Sequence, residues 1–110
     1  MKKYQLGEFE EVVLLTVGIL HGNAYGVTIR DEIEKLVKRS VSVGSLQITL
    51  RRLESKGFLK STQSGPEESR RGRPKLYFEL TAYGKRALEF TRQSRNNMWS
   101  MLPRLVLRLQ

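Results

Sequence analysis

The stretch SVGSLQITLRRLESKG, residues 42–57, decides how the rest of the chain is read. Placed on a helix at about 100° per residue, Leu46, Leu50 and Leu53 fall on one narrow stripe at i, i+4 and i+7, so one face turns to a core. The opposite face carries Gln47, Ile48, Arg51, Arg52 and Ser55, with Ser45 on the flank. A helix that is merely solvated rarely places isoleucine there. Ser42 predicts an N-cap whose hydroxyl satisfies a free N–H of the first turn, and Gly57 stands where a left-handed residue ends a helix.

Downstream, Phe58 to Gln63 and Lys75 to Leu80 read as two strands, because Leu76, Phe78 and Leu80 alternate with Lys75, Tyr77 and Glu79 at period two. The polar loop between them holds Arg70, Arg71 and Arg73 around Gly72, with Lys75 just beyond Pro74. Such a tip cannot build a core. It can reach a phosphate backbone or a narrow minor groove, where the negative potential favours arginine.

Upstream, Leu6, Phe9, Val13, Val17 and Leu20 repeat at helical spacing, and Glu8, Glu10 and Glu11 suit the positive end of that helix's dipole. This helix ends near Gly22. Asn23 to Gly26 opens a second helix through Ile29, Ile33, Leu36 and Val37, and Arg39 to Val41 forms a short turn into the stretch at 42–57. Helix, turn, helix and basic hairpin make a winged helix-turn-helix over residues 1–81, mostly α with a small β-hairpin.

Residues 82–110 read as a C-terminal dimerisation helix capped by Thr81. Leu88, Thr91, Arg95, Met98, Leu102, Leu105 and Leu109 keep the alternating three and four spacing of a coiled-coil seam, with Thr91 and Arg95 as polar interruptions. A homodimer is the simplest use of this surface, with Leu88, Met98, Trp99, Leu102 and Leu105 at the interface. Pro103 lacks the N–H that would bond the Trp99 carbonyl, so the helix is expected to kink or restart there.

Composition points to the same partner. The formal net charge is +9, and residues 38–75 hold ten basic against three acidic side chains, whereas residues 1–37 hold four against six. The positive charge thus gathers on the proposed reading unit, and double-stranded DNA is the polyanion that suits it. The expected contacts are Ser42, Ser45, Gln47, Ile48, Arg51 and Arg52 on the helix, with Arg70, Arg71, Arg73 and Lys75 on the hairpin.

The chain of 110 residues has no cysteine, which excludes disulfides, thiolate zinc sites and cysteine nucleophiles together. One histidine, His21, supports neither a metal site nor a triad, and there is no glycine-rich phosphate cradle, so no catalytic residue and no cofactor are expected. No apolar run precedes Glu8, and none reaches the length of a membrane span. The expected setting is cytosolic, without a membrane partner.

Five short motifs occur in order: YGVTI at 25–29, VSVGSL at 41–46, LRRLESKGFL at 50–59, GRPKLYFELT at 72–81, and Gly84. Together they resemble the PadR family of bacterial transcriptional regulators over roughly residues 5–90, in the short subfamily with a single C-terminal helix. The resemblance implies a dimeric winged-helix repressor whose C-terminal helix dimerises and whose ligands are small hydrophobic or phenolic molecules. A two-fold homodimer with one winged domain per half-site would in turn bind a pseudo-palindromic operator. The chain departs from the family where Tyr-Pro commonly follows the Gly-(Ser/Thr)-Leu of the reading helix, since it has Gln47 and Ile48. Gln can pair with adenine and Ile can meet a thymine methyl, so the operator is expected to differ. Pro103 is the second departure.

Plainer readings stand beside these. Arg51 and Arg52 alone would be ordinary solvated residues, and only Gln47 and the hairpin argue for contacts. On charge alone, Arg70, Arg71 and Arg73 could equally form a soluble loop. His21 reads as a surface or capping residue, and Tyr25 and Tyr77 as half-buried packing residues. Trp99 reads first as dimer core, and the family resemblance adds, as the minor reading, a platform for a planar ligand between subunits. The alternative function is an interaction module whose basic face meets a protein or RNA.

Overall fold

The computed structural model describes residues 2–65 and 74–110. After a 3-10 turn at Lys2–Tyr4 come α1 (Glu8–Ile19), α2 (Gly26–Val37) and α3 (Val43–Ser55). Strands β1 (Leu59–Gln63) and β2 (Leu76–Leu80) follow, then α4 (Ala82–Ser100) and α5 (Arg104–Leu107). Leu6 precedes the first helix instead of starting it, and each strand begins one residue later than the alternation suggested.

Local chemistry sets the helix ends. The Gly7 N–H donates to Glu10 Oε1 at 2.7 Å, so the carboxylate three residues in closes the start of α1. At α2 the Thr28 hydroxyl accepts from the Tyr25 N–H at 3.0 Å and donates to the Asn23 carbonyl at 2.6 Å. Ser42 caps α3 as its sequence predicts, accepting from the Ser45 N–H at 3.1 Å, and Gly57 takes φ +82°. Lys38 ends α2 at φ 54°, a left-handed turn made by a residue with a Cβ. The chain then returns through Val41, whose N–H donates to Glu34 Oε2 at 2.9 Å.

The core lies where α1, α2, α3 and the base of the hairpin meet. Val13, Leu14, Val17, Ile29, Ile33, Leu46, Leu50, Leu53, Phe58 and Leu59 are buried there. The stripe read from the sequence on α3 is the buried one. On α2 only Ile29 and Ile33 reach the core, while Leu36 and Val37 in its last turn remain exposed. The hairpin is antiparallel with Leu59 opposite Leu80 and Gln63 opposite Leu76. Its second strand also donates from Phe78 N–H to the Ala24 carbonyl at 2.8 Å, which stitches the wing to the α1–α2 connection.

At its start, α4 is locked to the end of α3. Thr81 caps it through the Gly84 N–H at 3.0 Å, and the Thr81 hydroxyl donates to the Gly57 carbonyl at 2.6 Å. Gly84 sits against the Phe58 carbonyl so closely that a Cβ there would overlap the oxygen. Tyr83 stacks at 5.1 Å from Phe58 and 5.3 Å from Tyr4, drawing the N-terminal turn onto α4. Beyond Thr91 the helix leaves the domain, and residues 92–110 are exposed. Of the kink or restart expected at Pro103, the structure shows the restart: α4 ends at Ser100 and α5 begins at Arg104, because Pro103 cannot continue the hydrogen-bond ladder.

Candidate nucleic-acid interface

α3 is amphipathic, and its polar face is open. Ser42, Ser45, Gln47, Ile48, Arg51 and Arg52 are all exposed, on the side away from Leu46, Leu50 and Leu53. Neither Arg51 nor Arg52 forms an ion pair among the described residues. The two differ in surroundings, since Arg52 lies near enough to Glu10 of α1 to favour its ionised form. Gln47 leans toward the edge of the face: its Nε2 would lie 3.8 Å from a Cβ on Gly26 at the start of α2.

Glu10 braces the far end of α3. Its carboxylate accepts from the Lys56 ammonium at 2.8 Å and from the Gly7 N–H, in a residue only 7% exposed. Burial pushes its pKa up, but the Gly7 N–H, the Lys56 ammonium and the Arg52 charge outweigh burial and hold it below the ordinary value.

The base of the wing is fixed from the helix side. Lys75 Nζ lies 4.6 Å over the Tyr25 ring, and Tyr25 meets Tyr77 edge-on at 5.4 Å. Lys75 is exposed, and its N–H donates to Ser64 Oγ at 2.8 Å. Arg70, Arg71 and Arg73 lie outside the described residues. Tyr25 and Tyr77 are the half-buried packing residues expected from sequence, but their joint role as a strut between the helices and the wing was not visible there.

The apolar set on the last helices splits. Leu88 is half-buried against its own core and lines a groove of about 430 Å³ with Glu11, Leu15 and Arg92. Met98, Trp99 and Leu102 line an open cleft of about 220 Å³ further along the helix, which shares Arg95 with that groove. Met98 is 65% and Trp99 64% exposed, and Leu105 on α5 is 74% exposed. His21 is exposed near the C-terminal end of α1. Among the described residues no group of three or more His, Cys, Asp or Glu could hold a metal ion, and no helix is long and apolar enough to cross a membrane.

Residues 14–90 match the family described as the transcriptional regulator PadR-like family. The chain belongs to it. PadR-like proteins are regulators of transcription rather than enzymes. The fold matches a PadR-like transcription factor from Bacteroides fragilis with TM-score 0.72 at 27% identity, covering 91% of this chain and 88% of that one. A PadR family transcription regulator from Clostridium difficile matches with TM-score 0.61 at 29% identity, covering 82% and 91%. A PadR-like transcriptional regulator from Bacillus cereus shares the fold at 22% identity, with TM-score 0.70 and 93% of each chain covered. No curated protein matches in sequence.

Within this PadR-like frame the first turn of α3 presents a further exposed aliphatic side chain. Val43 is 55% exposed and, with Val27 and Gly26 of α2, borders the cleft where the two helices meet. It directly follows the Ser42 cap of α3.

Proposed function

We propose that the chain is a homodimeric repressor that binds a pseudo-palindromic operator in double-stranded DNA, with one winged domain on each half-site. The observation that carries this reading is the open face of α3, where Ser45, Gln47, Ile48, Arg51 and Arg52 stand exposed beside a hairpin whose base is braced by Lys75 on Tyr25. α3 lies in the major groove and reads base edges. Arg70, Arg71, Arg73 and Lys75 grip the phosphate backbone.

Dimerisation uses Met98, Trp99, Leu102 and Leu105, with Leu88 at the edge of the contact. So much apolar side chain in water is unusual for a small monomer, and one reading helix covers too few base pairs for operator-level specificity. A small hydrophobic or aromatic inducer enters between subunits near Trp99 and releases DNA by favouring one dimer shape over the other. Selection of bound duplexes from a random pool, with the mass of the protein in solution, tests the reading. A two-fold consensus and a dimer mass are the expected results. Salt-dependent binding without any preferred duplex would favour a general basic interaction module instead.

A further inference from the structure

Down the middle of the open face of α3 run Gly44, Ile48, Arg51 and Ser55, each about one helical turn from the next. Ile48 is 57% exposed although it is the bulkiest aliphatic residue of that face. Nothing lies within 4 Å of where a Cβ on Gly44 would stand, so the surface one turn before Ile48 is bare. Gln47, the residue best equipped to hydrogen-bond a base, has its amide drawn aside toward Gly26. The centre of the face is therefore an apolar knob with clearance on one side and Arg51 on the other.

A knob of this kind needs an apolar counterpart on the polyanion it meets. Phosphates and the donor and acceptor atoms of base edges are polar, and burying isoleucine against them would strip their water without replacing it. In the major groove the C5 methyl of thymine is the apolar feature of the base edges. We propose that Ile48, seated through the clearance left by Gly44, reads a thymine methyl in each half-site, so that this base pair is specified by methyl contact rather than by hydrogen bonds. This rests on the DNA-binding reading and narrows it to the residue that sets one operator position.

The test uses the full chain and the duplex selected from a random pool. Each thymine is replaced in turn by deoxyuridine, which removes the C5 methyl and leaves the groove's donors and acceptors in place. Binding is followed by fluorescence anisotropy for wild type, Ile48→Ala and Ile48→Val. At one thymine per half-site, wild type should lose about fourfold in affinity, the factor that corresponds to ~0.8 kcal/mol for one buried methyl group. Ile48→Ala should bind the thymine duplex more weakly and show no further loss with deoxyuridine at that position, while Ile48→Val keeps part of the discrimination. Because Ile48 is exposed, all three proteins should melt alike. If wild type and Ile48→Ala respond equally to deoxyuridine at every thymine, the methyl contact is overturned while DNA reading stands. A pool that yields no preferred duplex overturns both.

Discussion

Lys56 Nζ, on the residue that closes α3, lies 2.8 Å from Glu10 Oε2 in the first turn of α1. The pair spans 46 positions of sequence and joins the end of α3 to α1. Because the folded pKa of Glu10 is depressed, its contribution to stability is present above the ordinary value of 4.5 and is lost as pH falls through the lower folded value. Glu10→Gln should therefore flatten the fall in melting temperature below that pH. Near neutral pH it should cost about 1 kcal/mol, the scale of one charged hydrogen-bond pair that is partly open to water. Thermal melts of both proteins across the acid range check this, and parallel curves would remove Glu10 from the acid response.

Two glycines should answer oppositely to alanine. Gly84→Ala drives a methyl into the Phe58 carbonyl at the point where α4 docks, and should destabilise by about 1–3 kcal/mol. Gly44→Ala meets open space in the first turns of α3 and should stabilise by roughly 0.5–1 kcal/mol through helix propensity. Urea titrations measure both, and similar midpoints would contradict the close approach at Gly84.

On the reading face, Gln47→Ala and Arg51→Ala should leave the fold intact, since both side chains are exposed. If Gln47 pairs with a base, its loss should cost about 1–3 kcal/mol and relax preference at one operator position. Loss of a phosphate contact at Arg51 should weaken all duplexes and reduce the salt slope by about one unit. Wild-type binding of operator and random DNA by both variants would show that this face does not read DNA.

Neutralising Arg70, Arg71 and Arg73 together should lower affinity for specific and non-specific duplexes alike, with little change in melting temperature. Low salt, where screening is weakest, gives the largest difference. Equal binding there would leave the wing without an electrostatic role.

Truncation after Phe90 removes Met98, Trp99, Leu102 and α5 together and should give a monomer or an aggregate with poor operator binding. In the full chain, planar aromatic ligands that weaken DNA binding should quench Trp99 fluorescence. A truncated chain that remains dimeric and binds normally would move the dimer contact elsewhere, and an inducer without effect on Trp99 emission would place the sensor elsewhere.

The local features of this structure are written in short stretches of the chain. The Ser42 and Thr81 caps, the left-handed Gly57, the buried stripe of Leu46, Leu50 and Leu53, and the break at Pro103 each depend on a few neighbouring residues, so their pattern is legible along the chain. The exposed face of α3 followed from the same periodicity. Contacts across long separations came from packing alone: Glu10 under Lys56, Tyr25 between Lys75 and Tyr77, Gly84 against Phe58, and Leu88 half-buried on the core while Met98 and Trp99 stay exposed. Helical periodicity tells which side of an element is apolar, but not which apolar side finds a neighbour. Leu36 and Val37 show this, since they continue the spacing of Ile29 and Ile33 yet stay exposed at the end of α2.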